Sequence, residues 1–568
     1  MPLWQSARRS SATEALTAGP AGDEARTCDA CKMGLIFLPP MSPSMKTSCM
    51  PHIHLPSTRW VAASSLLLSM LGGVSWAHAN EGDAFVTPVP TTLRFTTENI
   101  SLPGNEKMGM LGGTMLFDVS ERVRLGVGSY GAVRGERGGF ITLGVAGEVH
   151  QPLSDAWSAR AGLFVGAGGG RGGYTLSGGG LMLRTDLGLV YDTQRMGNVG
   201  FGVSRVSFPS GSIGSSQLYV QYDYPFHTLM RAGWPQPSQL PASRSGVQGL
   251  KANPNELSAV YRSYHLPASV VRDDGGVQHK RMQLMGVEWL SYLDDRWFLK
   301  LESEGAMGGQ SNGYMQILAG GGYRYPLSSS QALKLYAALG PAGGGSVDTG
   351  GGLLLDAGIA FQQSLSQNLS LELGLSELRA PSRSFKAQSL DLKLGYRFGT
   401  PVVGGSRVAL GDLNRFDARN LRVRVANQTY YKAAPQWRNR SVDDPVGNLG
   451  VQLDYFVSPT MFFTGQGLAA YRGDAGAYMT GQIGVGAQQR LSDRWFVEAE
   501  ALAGAAGGGG LAVGGGFVLQ GNGSVGYRVS DATSVMATVG RIQSTGGEFK
   551  ANVVGVSMAY QFTGYRQK

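Results

Sequence analysis

Beyond Ala79 the sequence contains no cysteine; Cys28, Cys31 and Cys49 all precede that point. A chain cut there has no disulfide, no zinc–thiolate site, no thiol nucleophile and no lipid-anchoring cysteine. Cys28-Asp29-Ala30-Cys31 has C-x-x-C spacing but no second pair to complete a metal site. Long apolar runs are missing as well: no stretch of about 18 apolar residues follows Ala79, which excludes membrane-spanning helices. Charged residues make up 16% of the chain, and the net +9 is spread along it. That excludes the concentrated basic face of a nucleic-acid binder. The P-loop pattern G-x-x-x-x-G-K-S/T, the zinc pattern H-E-x-x-H and an acidic calcium loop are all absent, so no cofactor is indicated. What abounds is glycine, 86 of 568 residues, about twice the usual share of ~7%.

Residues 45–79 have the three parts of a secretory signal. Lys46 and Arg59 are basic, Val61–Leu71 is apolar but too short to span a bilayer, and Ala77-His78-Ala79 is an A-x-A cleavage site. The expected mature N-terminus is Asn80, leaving 489 residues. Six basic and four acidic residues leave with the signal, so the net charge falls from +9 to +7. A signal of this kind begins near the start of translation, so Met45 or Met50 reads as the initiator and 1–44 as a mis-assigned upstream start.

The mature sequence repeats three times. Gln151-Pro152-Leu153-Ser154-Asp155-Ala156-Trp157 leads to Gly168-Gly169-Gly170 and Gly178-Gly179-Gly180. Tyr325-Pro326-Leu327-Ser328 leads to Gly343-Gly344-Gly345 and Gly350-Gly351-Gly352, and Gln489-Arg490-Leu491-Ser492-Asp493-Arg494-Trp495 to Gly507-Gly508-Gly509 and Gly514-Gly515-Gly516. The repeats are placed at 80–226, 255–398 and 419–568, joined by linkers at 227–254 and 399–418.

Within each repeat the hydrophobic period is two, which is a strand and not a helix. In Val554–Phe562 every even position is apolar and large, and every odd one is small or polar. Leu390, Leu392, Leu394, Tyr396 and Phe398 alternate likewise with Asp391, Lys393, Gly395 and Arg397. About eight strands per repeat are expected, in the first near 92–101, 108–119, 122–134, 139–150, 157–167, 182–192, 197–207 and 216–226. At ~10 residues each they are long enough to cross a bilayer at a tilt. Connections after the second, fourth and sixth strands are short, and the others are longer and rich in glycine or charge. Secreted β-sandwiches also alternate. The recurrence of aromatics at one strand end (Tyr222, Tyr224, Phe226; Tyr396, Phe398; Tyr560, Phe562) and of charge on the other face favours a barrel with an apolar exterior.

These strands resemble the bacterial outer-membrane β-barrel class, and the alternating strand ending at Phe562 resembles that class's assembly signal. The match departs in the six residues Thr563–Lys568 that follow the aromatic. Membership implies an outer-membrane location after Sec-type export, with outer-membrane lipid, periplasmic chaperones and the assembly machinery as partners. It implies no nucleic acid and no particular solute.

The fold class expected is therefore all-β, a transmembrane antiparallel barrel built from three repeats of about eight strands. One barrel of ~24 strands would enclose a wet lumen, whereas three tandem eight-stranded barrels would be filled by side chains. The many small inward residues (Gly144, Gly162, Gly188, Gly200, Gly202) favour the single barrel slightly; the linker lengths favour three. The charged residues on the inward face are Glu148, Arg160, Arg184, Asp186, Lys300, Glu302, Glu304, Lys393, Arg397, Glu498 and Glu500. Glu148 and Arg160 are expected opposite one another about a turn centred near 154. In a single barrel these charges would set the selectivity of a porin-like or export channel. The alternative is a non-conducting structural or adhesive surface protein presenting glycine-rich loops. No catalytic residue is indicated. Gly126-Val127-Gly128-Ser129-Tyr130-Gly131 matches G-x-G-x-x-G but sits on a strand with no helix after it. His150, His227, His265 and His279 lack equivalents in the other repeats. The glycine clusters read as flexible hairpin tips.

Overall fold

A computed structural model describes residues 85–194, 196–234, 250–439 and 443–568. The expected export signal, the stretch before it and most of the first linker lie outside these residues. A short strand β1 (Phe85–Val86) opens the described chain. The first barrel consists of β2 (Val89–Ser101), β3 (Lys107–Asp118), β4 (Val123–Arg134), β5 (Ile141–Pro152), β6 (Trp157–Gly169), β7 (Leu181–Asp192), β8 (Asn198–Ser207) and β9 (Gly214–Thr228). A short β10 (Met230–Ala232) follows. The second barrel consists of β11 (Ala252–His265), β12 (Arg281–Tyr292), β13 (Trp297–Gly308), β14 (Met315–Pro326), β15 (Gln331–Gly343), β16 (Leu353–Ser364), β17 (Leu369–Arg379) and β18 (Lys386–Pro401). After β19 (Val408–Ala409) the third runs through β20 (Phe416–Lys432), β21 (Val446–Phe456), β22 (Met461–Arg472), β23 (Met479–Arg490), β24 (Trp495–Gly507), β25 (Phe517–Arg528), β26 (Thr533–Ser544) and β27 (Lys550–Gln567).

Each repeat closes on itself. The first strand pairs antiparallel with the eighth in all three: β2 with β9, β11 with β18, and β20 with β27. The single 24-stranded barrel, slightly favoured from the sequence, is thus corrected to three barrels of eight. Small inward residues do not leave the interior empty, because long arginine, lysine and glutamate side chains from other strands reach across the space they leave. A Cβ added at Gly162, for instance, would lie 2.7 Å from Asp186 Oδ2. Glycine on one strand makes room for charge on the next.

The turn between β5 and β6 also departs from expectation by one step. Leu153 and Trp157 flank it, and His150 stands opposite Arg160, so the hairpin centres on 155. Ser154, Asp155 and Ala156 lie inside the turn, one residue later than expected, which shifts the register and places Glu148 diagonal to Arg160.

Thr563–Gln567, which the assembly-signal resemblance left over, continue β27 below the barrel. They pair with Phe416–Asn420, and Met230–Ala232 from the first linker adds a strand at Phe562–Gly564. β1 pairs with β19 of the second linker. Val86, Leu229, Val408, Leu413, Phe416 and Tyr565 form a small apolar core there, so the described parts of both linkers fold at the short-turn end.

The barrels meet in a ring. The third strand of each lies against the fifth strand of another: β4 on β15, β13 on β24, and β22 on β6. The same geometric relation used three times returns to its start, as a closed head-to-tail ring must. The third strand of every barrel carries a one-residue bulge near its loop end, at Val133, Met307 and Tyr471. Bulges bend a strand and raise its local twist, here at the point of contact.

Candidate functional sites: the barrel interiors and the glycine junction

Alternation sends every second side chain into a barrel eight strands wide. In the first barrel this gathers Arg94, Glu98, Glu148, Arg160, Arg184, Asp186 and Asp223. Arg94 makes a forked pair with Asp223 (2.7 and 2.8 Å) and a second ion pair with Glu148. Arg160 links Glu148 to Asp186, and Arg184 links Asp186 to Glu98 at 2.9 Å. Arg124 closes the chain from Asp118 (2.9 Å) to Glu148 (3.2 Å). Tyr219 lies under the guanidinium groups of Arg160 and Arg184.

The second barrel is the most charged. Arg262, fully buried, faces Glu302 (3.0 Å), Glu304 (3.1 Å), Asp356 (3.1 Å) and Asp391 (3.3 Å). Lys300 bonds Glu288 at 2.5 Å and also Glu302, while Lys393 joins Glu288 (2.7 Å) to Glu372 (3.1 Å). Lys334 bridges Glu256 (3.0 Å) and Glu372 (2.6 Å), and Arg397 reaches Glu256 at 3.3 Å from the turn-end rim. In the third barrel Arg422 and Arg424 share Asp454 at 2.7 Å each. Arg422 bonds Glu498 (2.6 Å), Arg424 pairs with Glu500, and an amide layer of Gln428, Gln466, Gln482 and Gln520 lies above.

The eleven charged residues singled out from the sequence all point inward, and ten of them are buried to 7% exposure or less. Arg397, at the rim, keeps about a third of its side chain exposed. They fall into three separate networks, not one shared lumen: Glu148, Arg160, Arg184 and Asp186 in the first barrel, Lys300, Glu302, Glu304, Lys393 and Arg397 in the second, Glu498 and Glu500 in the third. Missed from the sequence were the hubs Arg94, Arg262, Arg422 and Arg424, all on the first strand of a barrel. The signal was present. Arg422 and Arg424 alternate with Leu421, Val423 and Val425, the same two-residue period that identified the others.

Above the charges, toward the long loops, each interior turns apolar. Ile100, Met108, Met110, Tyr130, Phe164 and Met182 fill the first barrel, with Phe140, Phe208 and Ile213 folded in from loops. Tyr264, Met282, Tyr314 and Leu354 with Phe385 do the same in the second, and Tyr430, Tyr478 and Ile542 with Trp437 and Phe549 in the third. Below the third barrel, Trp234 of the first linker packs on Phe456, with ring centroids 4.4 Å apart, and donates to the Leu421 carbonyl at 2.9 Å. Beside Arg94, Glu148 and Arg160 the first barrel keeps a cavity of about 20 Å3, room for about one water.

The glycine clusters lie at the junction between barrels, not at free hairpin tips as expected. Gly138 and Gly139 donate to the carbonyls of Gly350 (2.7 Å) and Ala342 (3.0 Å), joining barrels one and two. Gly476 and Ala477 donate to Gly178 (3.1 Å) and Gly168 (3.4 Å), joining three and one, and Asn312 donates to Gly514, joining two and three. Added Cβ atoms at Gly180, Gly352 and Gly516 would lie 2.1, 2.4 and 2.2 Å from the carbonyls of Ala470, Ala132 and Ala306. Backbones approach that closely only where one of the two residues lacks a Cβ. Beyond the junction Arg171 reaches Asp348 (3.5 Å) and Asp273 (3.8 Å) from the first barrel to the second.

At the opposite end Asp294 caps its turn, accepting the backbone N–H of Trp297 (2.6 Å) and Arg296 (2.7 Å). Those two bonds hold its carboxyl below the ordinary range. Among the described residues no cluster of histidine, cysteine, aspartate and glutamate has metal-binding geometry.

No family model matches the chain, and no curated protein is similar to it in sequence. Solved structures align with most of the chain at low similarity. The siderophore receptor PirA from Acinetobacter baumannii aligns over 84% of this chain and 80% of its own at 8% identity and a TM-score of 0.25. A ferric enterobactin receptor mutant from Pseudomonas aeruginosa aligns over 84% and 81% at 8% identity and a TM-score of 0.24. OccK11 from Pseudomonas aeruginosa aligns over 84% and 97% at 9% identity and a TM-score of 0.21. By its own strand pairing the chain is an all-β protein of three closed antiparallel barrels of eight strands, with charge inside and apolar residues outside.

Proposed function

We propose that this is an integral outer-membrane protein whose three sealed barrels form a non-conducting structural unit. The observation that carries this reading is the content of the barrels: charges paired side chain to side chain and closed over by apolar loops. A porin-like or export channel needs a continuous wet path. Arg262 with its four carboxylates, and Tyr264 and Tyr314 above it, stand where that path would run in the second barrel.

The exterior supports membrane residence. Outward residues of the second barrel run in apolar rows, from Leu375, Leu390 and Leu373, Leu392 down to Leu369, Tyr396, Leu257 and Trp289. Leu375, Leu373 and Leu257 are each about half exposed, 59%, 53% and 49%. Leucine ladders of that extent on a soluble surface would drive association; against lipid they are solvated. A twelve-residue strand is about 40 Å long, and at a barrel tilt of ~40° it rises ~30 Å, the thickness of a hydrocarbon core. Sec-type export, cleavage after Ala79, periplasmic chaperones and the assembly machinery belong to the same reading.

Planar bilayers test it. Purified protein at high occupancy should leave the membrane electrically silent across ±100 mV or so, a working range about that of physiological potentials. Steady, ion-selective conductance steps would overturn the sealed-barrel reading.

A further inference from the structure

The two ends of the apolar wall differ. At the short-turn end the outward residues are aromatic: Trp157 with Tyr191, Trp297 with Tyr323, Trp495 with Tyr527, and the pairs Tyr224–Phe226, Tyr396–Phe398 and Tyr560–Phe562. At the loop end the same wall ends in cations. Strand register fixes the row in the second barrel: Arg379 stands opposite Lys386, and one step below, Glu377, Gln388, His265 and Arg281 stand side by side across β17, β18, β11 and β12. Directly beneath them lie Leu375 and Leu390.

The corresponding row of the first barrel holds Arg205 beside Ser216 and Lys107 beside Ser101, and that of the third holds Arg541 beside Asn552 with Lys550 beside Gln543. All seven cations point outward by strand alternation. They sit on the seventh, eighth and second strands, away from the barrel-to-barrel contacts of the third and fifth. Arg379 keeps 63% of its side chain exposed and Lys386 44%. One carboxylate, Glu377, lies among them and serves both Arg379 (2.5 Å) and Lys386 (3.4 Å).

We infer that this cationic rim docks the phosphate groups of an outer-leaflet phosphoglycolipid of the lipid A type. The inference rests on the outer-membrane reading. Three physical points select that partner. The cations continue the lipid-facing rows upward by one step, so they sit at headgroup depth and not on loop tips. They are fixed on strands, so the cross-strand pair Arg379 and Lys386 presents donors to one multivalent anion; arginine binds phosphate through a planar fork. In the loop-end rows seven cations stand over one carboxylate, whereas the outward rows at the turn end carry the aromatics that suit an interfacial zone, and Arg296 and Arg494 there are bonded to Tyr323 and Tyr527. A leaflet dense in phosphomonoesters supplies the missing counter-charge.

The test uses the full mature protein in dodecylmaltoside carrying defined lipid, either phosphatidylcholine alone or phosphatidylcholine with lipid A at one part in five, followed by delipidation and mass analysis of retained lipid. Wild type should retain lipid A in preference to phosphatidylcholine and melt at higher temperature in its presence. The variant Arg281→Gln/Arg379→Gln/Lys386→Gln should lose most of that retention, roughly tenfold, while keeping its barrel spectrum and its insertion into phosphatidylcholine vesicles. Glu377→Gln, which frees two cations, should retain more lipid A than wild type. Equal retention by wild type and the triple variant, or retention of lipid A no greater than of phosphatidylcholine, would overturn the inference and leave the membrane reading intact. Failure of wild type to enter vesicles of either composition would overturn both.

Discussion

Replacing Arg262 with methionine should unfold the second barrel selectively. The guanidinium is fully buried and lies 3.0–3.3 Å from four carboxylates, those of Glu302, Glu304, Asp356 and Asp391. Methionine fills most of the volume but leaves those four groups facing one another without a cation. Lys300 still reaches Glu302; Glu304, Asp356 and Asp391 keep no ion pair among the described residues. Removing one partner of a buried ion pair costs about 3–5 kcal/mol, which at 2–4 °C per kcal/mol for a domain of this size is a drop of about 10 °C. The assay is heat-modifiable gel mobility combined with limited proteolysis, which reports which barrel opens first. Cleavage should appear within 252–401 while the first and third barrels stay protected. Adding Glu304→Gln and Asp391→Asn to Arg262→Met should restore part of the loss, because the amides carry no charge to repel and their NH2 groups can donate to the remaining carboxylates. If Arg262→Met melts with wild type, the carboxylates are solvated, the interior is wet, and the reasoning behind sealed barrels fails.

Gly516→Val should open the contact between the second and third barrels, since φ is +101° and the new Cβ would stand 2.2 Å from the Ala306 carbonyl. The backbone strain alone is about 1–2 kcal/mol, so cleavage of 508–516 by added protease should quicken about tenfold with each barrel still folded; unchanged cleavage would remove the junction's role. The sequence beyond Ala79 lacks cysteine, so in protein starting there single introduced thiols report topology: a cysteine at Gly275 should label on intact cells and one at Asp295 should not, and the reverse pattern would invert the orientation. Asp294, whose carboxyl is held below its ordinary value of 3.8, stabilises its turn above that value and ceases to as pH falls through its lower folded value. The difference in melting temperature between wild type and Asp294→Ala should therefore be present at pH 6 and vanish in strong acid; a difference independent of pH would assign the effect to something other than the carboxylate.

Alternation by itself determined the strands, their faces and their number. It reads correctly because a strand has a strict period of two and one of its faces must meet lipid or a packed interior. From Leu390, Leu392, Leu394 against Asp391 and Lys393 the inward and outward sets follow without coordinates. The repeats at Leu153, Leu327 and Leu491 determined that the unit is eight strands used three times. What alternation leaves open is which strand closes on which. A ladder at β9 is equally served by β2, which completes a barrel of eight, or by the next repeat, which builds one of 24, because backbone hydrogen bonds carry no record of partner. The inward residues decide it through their reach: Arg94 spans to Asp223 and Glu148 only in a barrel eight strands wide. The glycine clusters show the same limit from outside. Three consecutive glycines satisfy a flexible tip and a close backbone contact equally well in sequence. Only the neighbouring barrel, with the Ala132, Ala306 and Ala470 carbonyls 2.1–2.4 Å from where each Cβ would be, distinguishes them.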